Sequence, residues 1–109
     1  MIELALRHSS PQNGPALTRD AAGTFLVQLK GWTLHADAKE IRKTFAFKDY
    51  YHTMAFVNAV AWIAHGEDHH PDLAVGYNKV TVVFSTHSVS GLSENDFIGA
   101  AKIDALGAS

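Results

Sequence analysis

The chain has 109 residues, is 47% hydrophobic and 18% charged, carries a formal net charge of −2 and has no cysteine. That length suits one domain with its own core, and the composition excludes a disordered chain. Lys and Arg are scattered singly or in short pairs such as Arg42-Lys43, which excludes an electrostatic footprint for nucleic acid; the missing cysteine excludes disulfides, thiol nucleophiles and Cys-based zinc sites. No apolar run reaches bilayer length and the first residues lack a signal-peptide pattern, so the expectation is a soluble cytoplasmic protein with no membrane partner.

Residues 1 to 16 read as a loosely packed arm. Ser9, Ser10, Pro11, Asn13, Gly14 and Pro15 cluster as loop formers, with a short edge strand at Ile2–Leu6 as the competing reading. Residues 17 to 109 read as a single domain. Thr18 is placed to cap a helix whose face is Ala22, Phe25, Leu26 and Leu29, with Gly31 as its stop. Trp32 to His35 is a short strand candidate. Ile41, Phe45 and Phe47 alternate with polar residues as a second strand, interrupted on its apolar face by Lys43. Asp49 is placed to cap a longer helix ending near Gly66. Its apolar residues, Met54, Val57, Val60, Ala61 and Ile63 broadened by Phe56 and Trp62, cover enough circumference to pack on two sides. One side would meet a sheet and the other a second subunit. Leu73, Val75 and Tyr77, then Val80, Val82 and Phe84, form a hairpin about Asn78-Lys79, with φ > 0 expected at Asn78. Ser93 and Asp96 have capping-box spacing for a last helix over residues 94 to 106, with Leu92 and Phe97 as the hydrophobic staple and Gly107 as the end.

The order helix, strand, strand, helix, strand, strand, helix predicts an α+β fold: a four-stranded antiparallel sheet with three helices packed on one face.

Histidine supplies the chemistry. His8, His35 and His52 are isolated. His69 and His70 are followed at once by Pro71, which pushes His70 out of the helical region and makes the pair the corner between two elements. His87 ends the hairpin's second strand. Imidazoles titrate near neutrality, so convergence of His69, His70 and His87 would give proton transfer at ordinary pH. A metal site is the rival, because His65 and His69 have the four-residue separation of one helix face. Gly66 inside that spacing and the lack of a second paired-ligand element argue against it, and no metal and no cofactor are expected. Asp96 reads first as the capping residue and second as a group orienting His87.

His69-His70-Pro71, Tyr77-Asn78-Lys79-Val80, Ser85-Thr86-His87 and Gly91-Leu92-Ser93-Glu94 with Asp96 resemble the pterin-4a-carbinolamine dehydratase family. Gly31-Trp32 and Phe45-Ala46-Phe47-Lys48-Asp49 are similar to it too. The resemblance runs from about Thr18 to the C-terminus. It implies dehydration of 4a-hydroxytetrahydropterin to the quinonoid dihydropterin, the recycling step after an aromatic amino acid hydroxylase. It also implies a homodimer or homotetramer, with His69, His70, His87 and Asp96 as catalytic residues and Trp32, Pro71 and His65 at the substrate. His65 stands where many relatives carry an acid, and Leu73 where an aromatic is frequent. Some relatives act as dimerisation cofactors or assembly factors, so a non-catalytic interaction module on the same scaffold is the alternative function.

Overall fold

The computed structural model describes residues 3–106. Three helices, α1 (Arg19–Leu26), α2 (Tyr50–Glu67) and α3 (Glu94–Leu106), pack with four strands, β1 (Thr33–Leu34), β2 (Ile41–Ala46), β3 (Asp72–Val75) and β4 (Lys79–Phe84). The sheet order is β1-β2-β4-β3 with every pair antiparallel, so the expected α+β layer is what the chain forms. Among the described residues no helix is long and apolar enough to cross a membrane.

The two central strands carry the inward face. Ile41 lies opposite Phe84 and Phe45 opposite Val80. Val80, Val82 and Phe84 are buried, while Arg42, Thr44 and Ala46 on the alternate positions of β2 are exposed. Lys43 sits on the inward parity because its stem runs along apolar surface to a polar exit. Its Nζ donates to Asp104 Oδ1 at 2.9 Å and to Lys30 O at 2.7 Å, and it lies 4.7 Å from the Phe45 ring centroid.

Helix ends follow local chemistry, with three departures from expectation. Thr18 accepts from Ala21 N–H as the N-cap of α1, but α1 stops at Leu26 rather than near Gly31. The chain continues in tighter turns, Gln28 N–H to Phe25 O and Leu29 N–H to Leu26 O, before Gly31 reverses it at φ 79°. Asp49 caps α2 through His52 N–H. α2 ends at Glu67, near Gly66 as expected, with Asp68 at φ 51° as the reversing residue; a short Asx side chain tolerates the left-handed region. The β3–β4 hairpin closes with Gly76 N–H donating to Lys79 O and without positive φ at Asn78. At α3 half of the expected box forms: Ser93 N–H donates to Asp96 Oδ2 at 2.9 Å, Ser93 Oγ accepts from Asn95 N–H rather than from Asp96 N–H, and both Leu92 and Phe97 are fully buried. The Gly107 stop lies outside the described residues.

The arm is packed, contrary to the loosely held segment its composition suggests. Residues Leu4–Leu6 form a 3₁₀ turn rather than a strand, and Leu4 is 3% exposed within the core. Arg7 pairs with Glu94, Lys102 Nζ donates to Ala5 O at 2.9 Å, and Leu17 N–H donates to Leu92 O at 2.8 Å. Loop composition sets backbone freedom, but these partners lie far away in sequence and are invisible to local patterning.

Candidate active site

His69 emerges directly after the Asp68 reversal that ends α2, and its own N–H still bonds back to Ala64 O at 3.1 Å. That turn sends its ring inward. His69 Nε2 lies 2.6 Å from Asp96 Oδ1, and the ring stacks on Phe84 at 5.7 Å between centroids and 6° between planes. The His69 side chain is 11% exposed and that of Asp96 is 0% exposed.

Asp96 comes from the first turn of α3. It accepts from three donors: His69 Nε2–H, Thr86 Oγ1–H at 2.7 Å and Ser93 N–H at 2.9 Å. Thr86 has a single hydroxyl hydrogen and gives it to Asp96, so in its 2.7 Å contact with Ser93 Oγ the serine is the donor. The order Ser93 to Thr86 to Asp96 is thereby fixed. An accepting carboxylate beside Nε2 fixes the His69 tautomer, leaving Nδ1 as the ring nitrogen able to take a proton.

His87 opens a short 3₁₀ turn after β4 and is exposed. It shares with His69 a cavity of about 350 Å³, within the size range of small-molecule sites. Glu67, Asn95 and Ser9 to Gln12 of the arm complete much of its wall. Glu67 Oε1 accepts from Ser9 N–H at 2.7 Å, and Oε2 lies 3.0 Å from His8 Nδ1 and 3.7 Å from Lys102 Nζ. Burial alone would raise the Glu67 pKa, but the Ser9 hydrogen bond, His8 and Lys102 together hold it below the usual glutamate value.

The remaining expected residues distribute differently. His70 is exposed and Pro71 half-buried beside it, just before β3, and neither lines the cavity. His65 is exposed on α2 and does not line the cavity. Trp32 is 6% exposed in the core, with its Nε1–H spent on Asp104 at 3.0 Å, so its indole is a packing element within this chain rather than a wall of the cavity. The Asp68 reversal also breaks the one-face relation between His65 and His69 on which the metal alternative stood. Asp96 orients His69, not His87. The parity of β4 explains this, because Val80, Val82, Phe84 and Thr86 all point inward and His87, one residue on, does not. That same parity is the sequence signal that could have identified Thr86 as the residue meeting Asp96. The arm residues had no comparable chemical signature.

The family model described as "Pterin 4 alpha carbinolamine dehydratase" matches residues 15–106. A curated protein of Nitrosospira multiformis, named "Putative pterin-4-alpha-carbinolamine dehydratase", is 56% identical over 106 residues, covering 95% of this chain and 92% of its own length. One of the same name from Nitrosomonas eutropha is 56% identical over 109 residues, covering 97% and 95%. Among solved structures, a transcriptional coactivator/pterin dehydratase from Brucella melitensis superposes with a TM-score of 0.80 at 34% identity, covering 84% of this chain and 97% of that one. A pterin dehydratase-like protein described as a RuBisCO assembly factor in the alpha-carboxysome superposes with a TM-score of 0.63 at 28% identity, covering 72% and 92%.

Proposed function

The chain belongs to the pterin-4a-carbinolamine dehydratase family, and we propose that it dehydrates 4a-hydroxytetrahydropterin to the quinonoid dihydropterin by metal-independent histidine acid–base catalysis. The observation that carries this reading is the buried Asp96 carboxylate holding His69 while His87 faces the same cavity.

The reaction breaks the C4a–O bond and forms the C4a=N5 bond. The electron pair of C4a–O leaves with oxygen, which takes a proton from His87 and departs as water. The N5–H electrons become the new π bond as His69 Nδ1 takes the proton. Proton count balances once solvent returns the proton from His69 to exposed His87. Each positioned acid or base of this kind contributes about 10²–10⁴-fold. His70, at the Pro71 corner, is assigned to holding the pterin. The step would follow an aromatic amino acid hydroxylase in the cytoplasm. A homodimer or homotetramer is part of the proposal, and Trp62, 80% exposed on α2, supports a second packing face there.

Stopped-flow generation of the carbinolamine, with its dehydration followed with and without the protein, tests the reading. Catalysed dehydration that is lost in His69→Ala and His87→Ala is expected; a rate equal to the uncatalysed one refutes it. The second reading, an assembly or interaction module, draws on the RuBisCO assembly factor among the similar folds. It predicts that the wild-type protein leaves the dehydration rate unchanged.

A further inference from the structure

We propose that the arm from His8 to Gln12 is a wall of the substrate cavity that sets how tightly the pterin is held; this rests on the dehydratase reading. Ser9, Ser10, Pro11 and Gln12 line the same cavity as His69 and His87.

The wall is clamped at three points. Glu67, at the end of α2, takes Ser9 N–H and pairs with His8. Asn95 closes a two-bond ring with Ser10, accepting from its N–H at 3.1 Å and donating Nδ2–H to its carbonyl at 2.7 Å. Ser88 Oγ donates to Gln12 O at 2.6 Å. These clamps sit beside the chemistry in the chain: Glu67 lies two residues before His69, Ser88 follows His87, and Asn95 precedes Asp96. Buried Leu4 anchors the arm upstream. Downstream Ala16 packs on Gly91, where an added Cβ would come within 2.8 Å of the Ala16 Cβ, so glycine is needed for that close approach. The Ser9 and Ser10 backbone N–H groups are already paired and the Ser9 hydroxyl is buried out of reach, so the exposed Ser10 hydroxyl and the Gln12 amide are what the wall offers a pterin ring edge, which is rich in donors and acceptors.

The family match begins at residue 15, whereas the Nitrosospira and Nitrosomonas relatives cover 95% and 97% of this chain, so the arm lies outside the family model but within the alignment to those relatives.

Two variants test the proposal: a chain shortened to begin at Asn13, and Ser10→Ala in the full chain, which removes the arm's wall hydroxyl while keeping the Asn95 clamp and the Leu4 anchor. Each is assayed for KM and kcat of dehydration, for the pH profile of kcat, and for the Kd of 7,8-dihydropterin by calorimetry, with thermal melts confirming folding. A rise of about three- to tenfold in KM and Kd is expected, the size of one or two lost hydrogen bonds, with kcat within about twofold and its pH profile unmoved. Folded variants with unchanged KM and Kd overturn the proposal, as does a fall in kcat at constant KM, which would make the arm a prop for the histidines. A wild-type chain that neither dehydrates nor binds the pterin would remove the dehydratase reading and this proposal together. Wild-type turnover with indifferent variants removes this proposal alone.

Discussion

Replacing Asp96 with asparagine separates two jobs that one carboxylate performs. Asp96 is fully buried and accepts from His69, Thr86 and Ser93 N–H. Asparagine keeps the shape but has one acceptor oxygen and an amide that only donates. It can sit two ways. With its oxygen toward His69, the amide faces Thr86 and the Ser93 N–H. Thr86 can turn and accept, but the Ser93 N–H is stranded in the interior at a cost of about 1–3 kcal/mol. For a domain of this size that lowers the melting temperature by about 5–20 °C. With its oxygen toward Thr86 and Ser93, those two donors stay paired, and one amide N–H donates to His69 Nε2 while the other is left without a partner. The imidazole proton must then move to Nδ1, the nitrogen the mechanism needs unprotonated.

The second arrangement strands one amide N–H where the first strands the Ser93 N–H as well, and is therefore the favoured one. Asp96→Asn is expected to melt about 5–20 °C below the wild type and to lose about 10²–10⁴-fold in kcat, the share of one positioned base. Stopped-flow dehydration and a calorimetric melt on the same sample read both quantities. A folded variant keeping kcat within about threefold across pH would refute the assignment of His69 as base through Asp96. A lowered melt with turnover retained would show the first arrangement and reduce Asp96 to a cap.

Four further outcomes follow from the same geometry. Gly99→Ala would place a Cβ 2.7 Å from Phe84 Cζ, forcing the ring that stacks on His69 to move; calorimetry should show a loss of about 1–3 kcal/mol, and an unchanged melt would mean the ring has room. Thr86→Val strips the link between Ser93 and Asp96 but leaves the His69 bond, so stability should fall by about 1–3 kcal/mol while kcat falls less than about tenfold; turnover lost as fully as in Asp96→Asn would shift the orienting role to the whole network. His87→Ala, at an exposed position, should leave the melt nearly unchanged and cut kcat by about 10²-fold or more, and near-wild-type kcat would remove it as the acid. Because the folded Glu67 pKa is depressed, its contribution to arm docking is complete above the ordinary glutamate value and is lost as pH falls through the folded value; hydrogen exchange at the Ser9 amide should accelerate relative to its intrinsic rate in that acid window, and Glu67→Gln should abolish the pH dependence.

What the sequence made legible was whatever is local. Asp49 as cap, the Ser93 N–H to Asp96 half of the box and the alternation through Val80, Val82 and Phe84 each depend on neighbours within a few residues, and each appears where patterning puts it. Trp62 marks where the single chain's pattern stops: the apolar circumference of α2 suggested packing on two sides, and within this chain burial falls to Thr53, Phe56, Val60 and Ala64 while Trp62 stays exposed, as the side expected to meet a second subunit would. Trp32 shows the converse, since an indole N–H finds Asp104, 72 residues away, and the ring goes into the core. The Asp96–His69 pair spans 27 residues and required β4 and α3 to be docked before it could be seen. The short loop from His87 to Asp96 suggested the nearer histidine, but strand parity outranks sequence distance. The arm was the least legible segment, because its partners Glu67, Ser88 and Asn95 come from three different parts of the fold.

The site is thus split by rigidity. His69 is held by a carboxylate that is also the cap of α3, and the residues from Asn95 to Ala100 are buried. Its hydrogen bonds are made once, on folding, and need no rearrangement during turnover, the condition under which an orienting group contributes most to rate. His87 belongs to a short turn at the surface, where small displacements cost little. In the proposed mechanism the fixed imidazole takes the N5 proton, whose position is set by the ring. The adjustable one follows the departing hydroxyl, whose position changes as the C4a–O bond lengthens. A rigid base and a mobile acid therefore match the motions of the two atoms they serve.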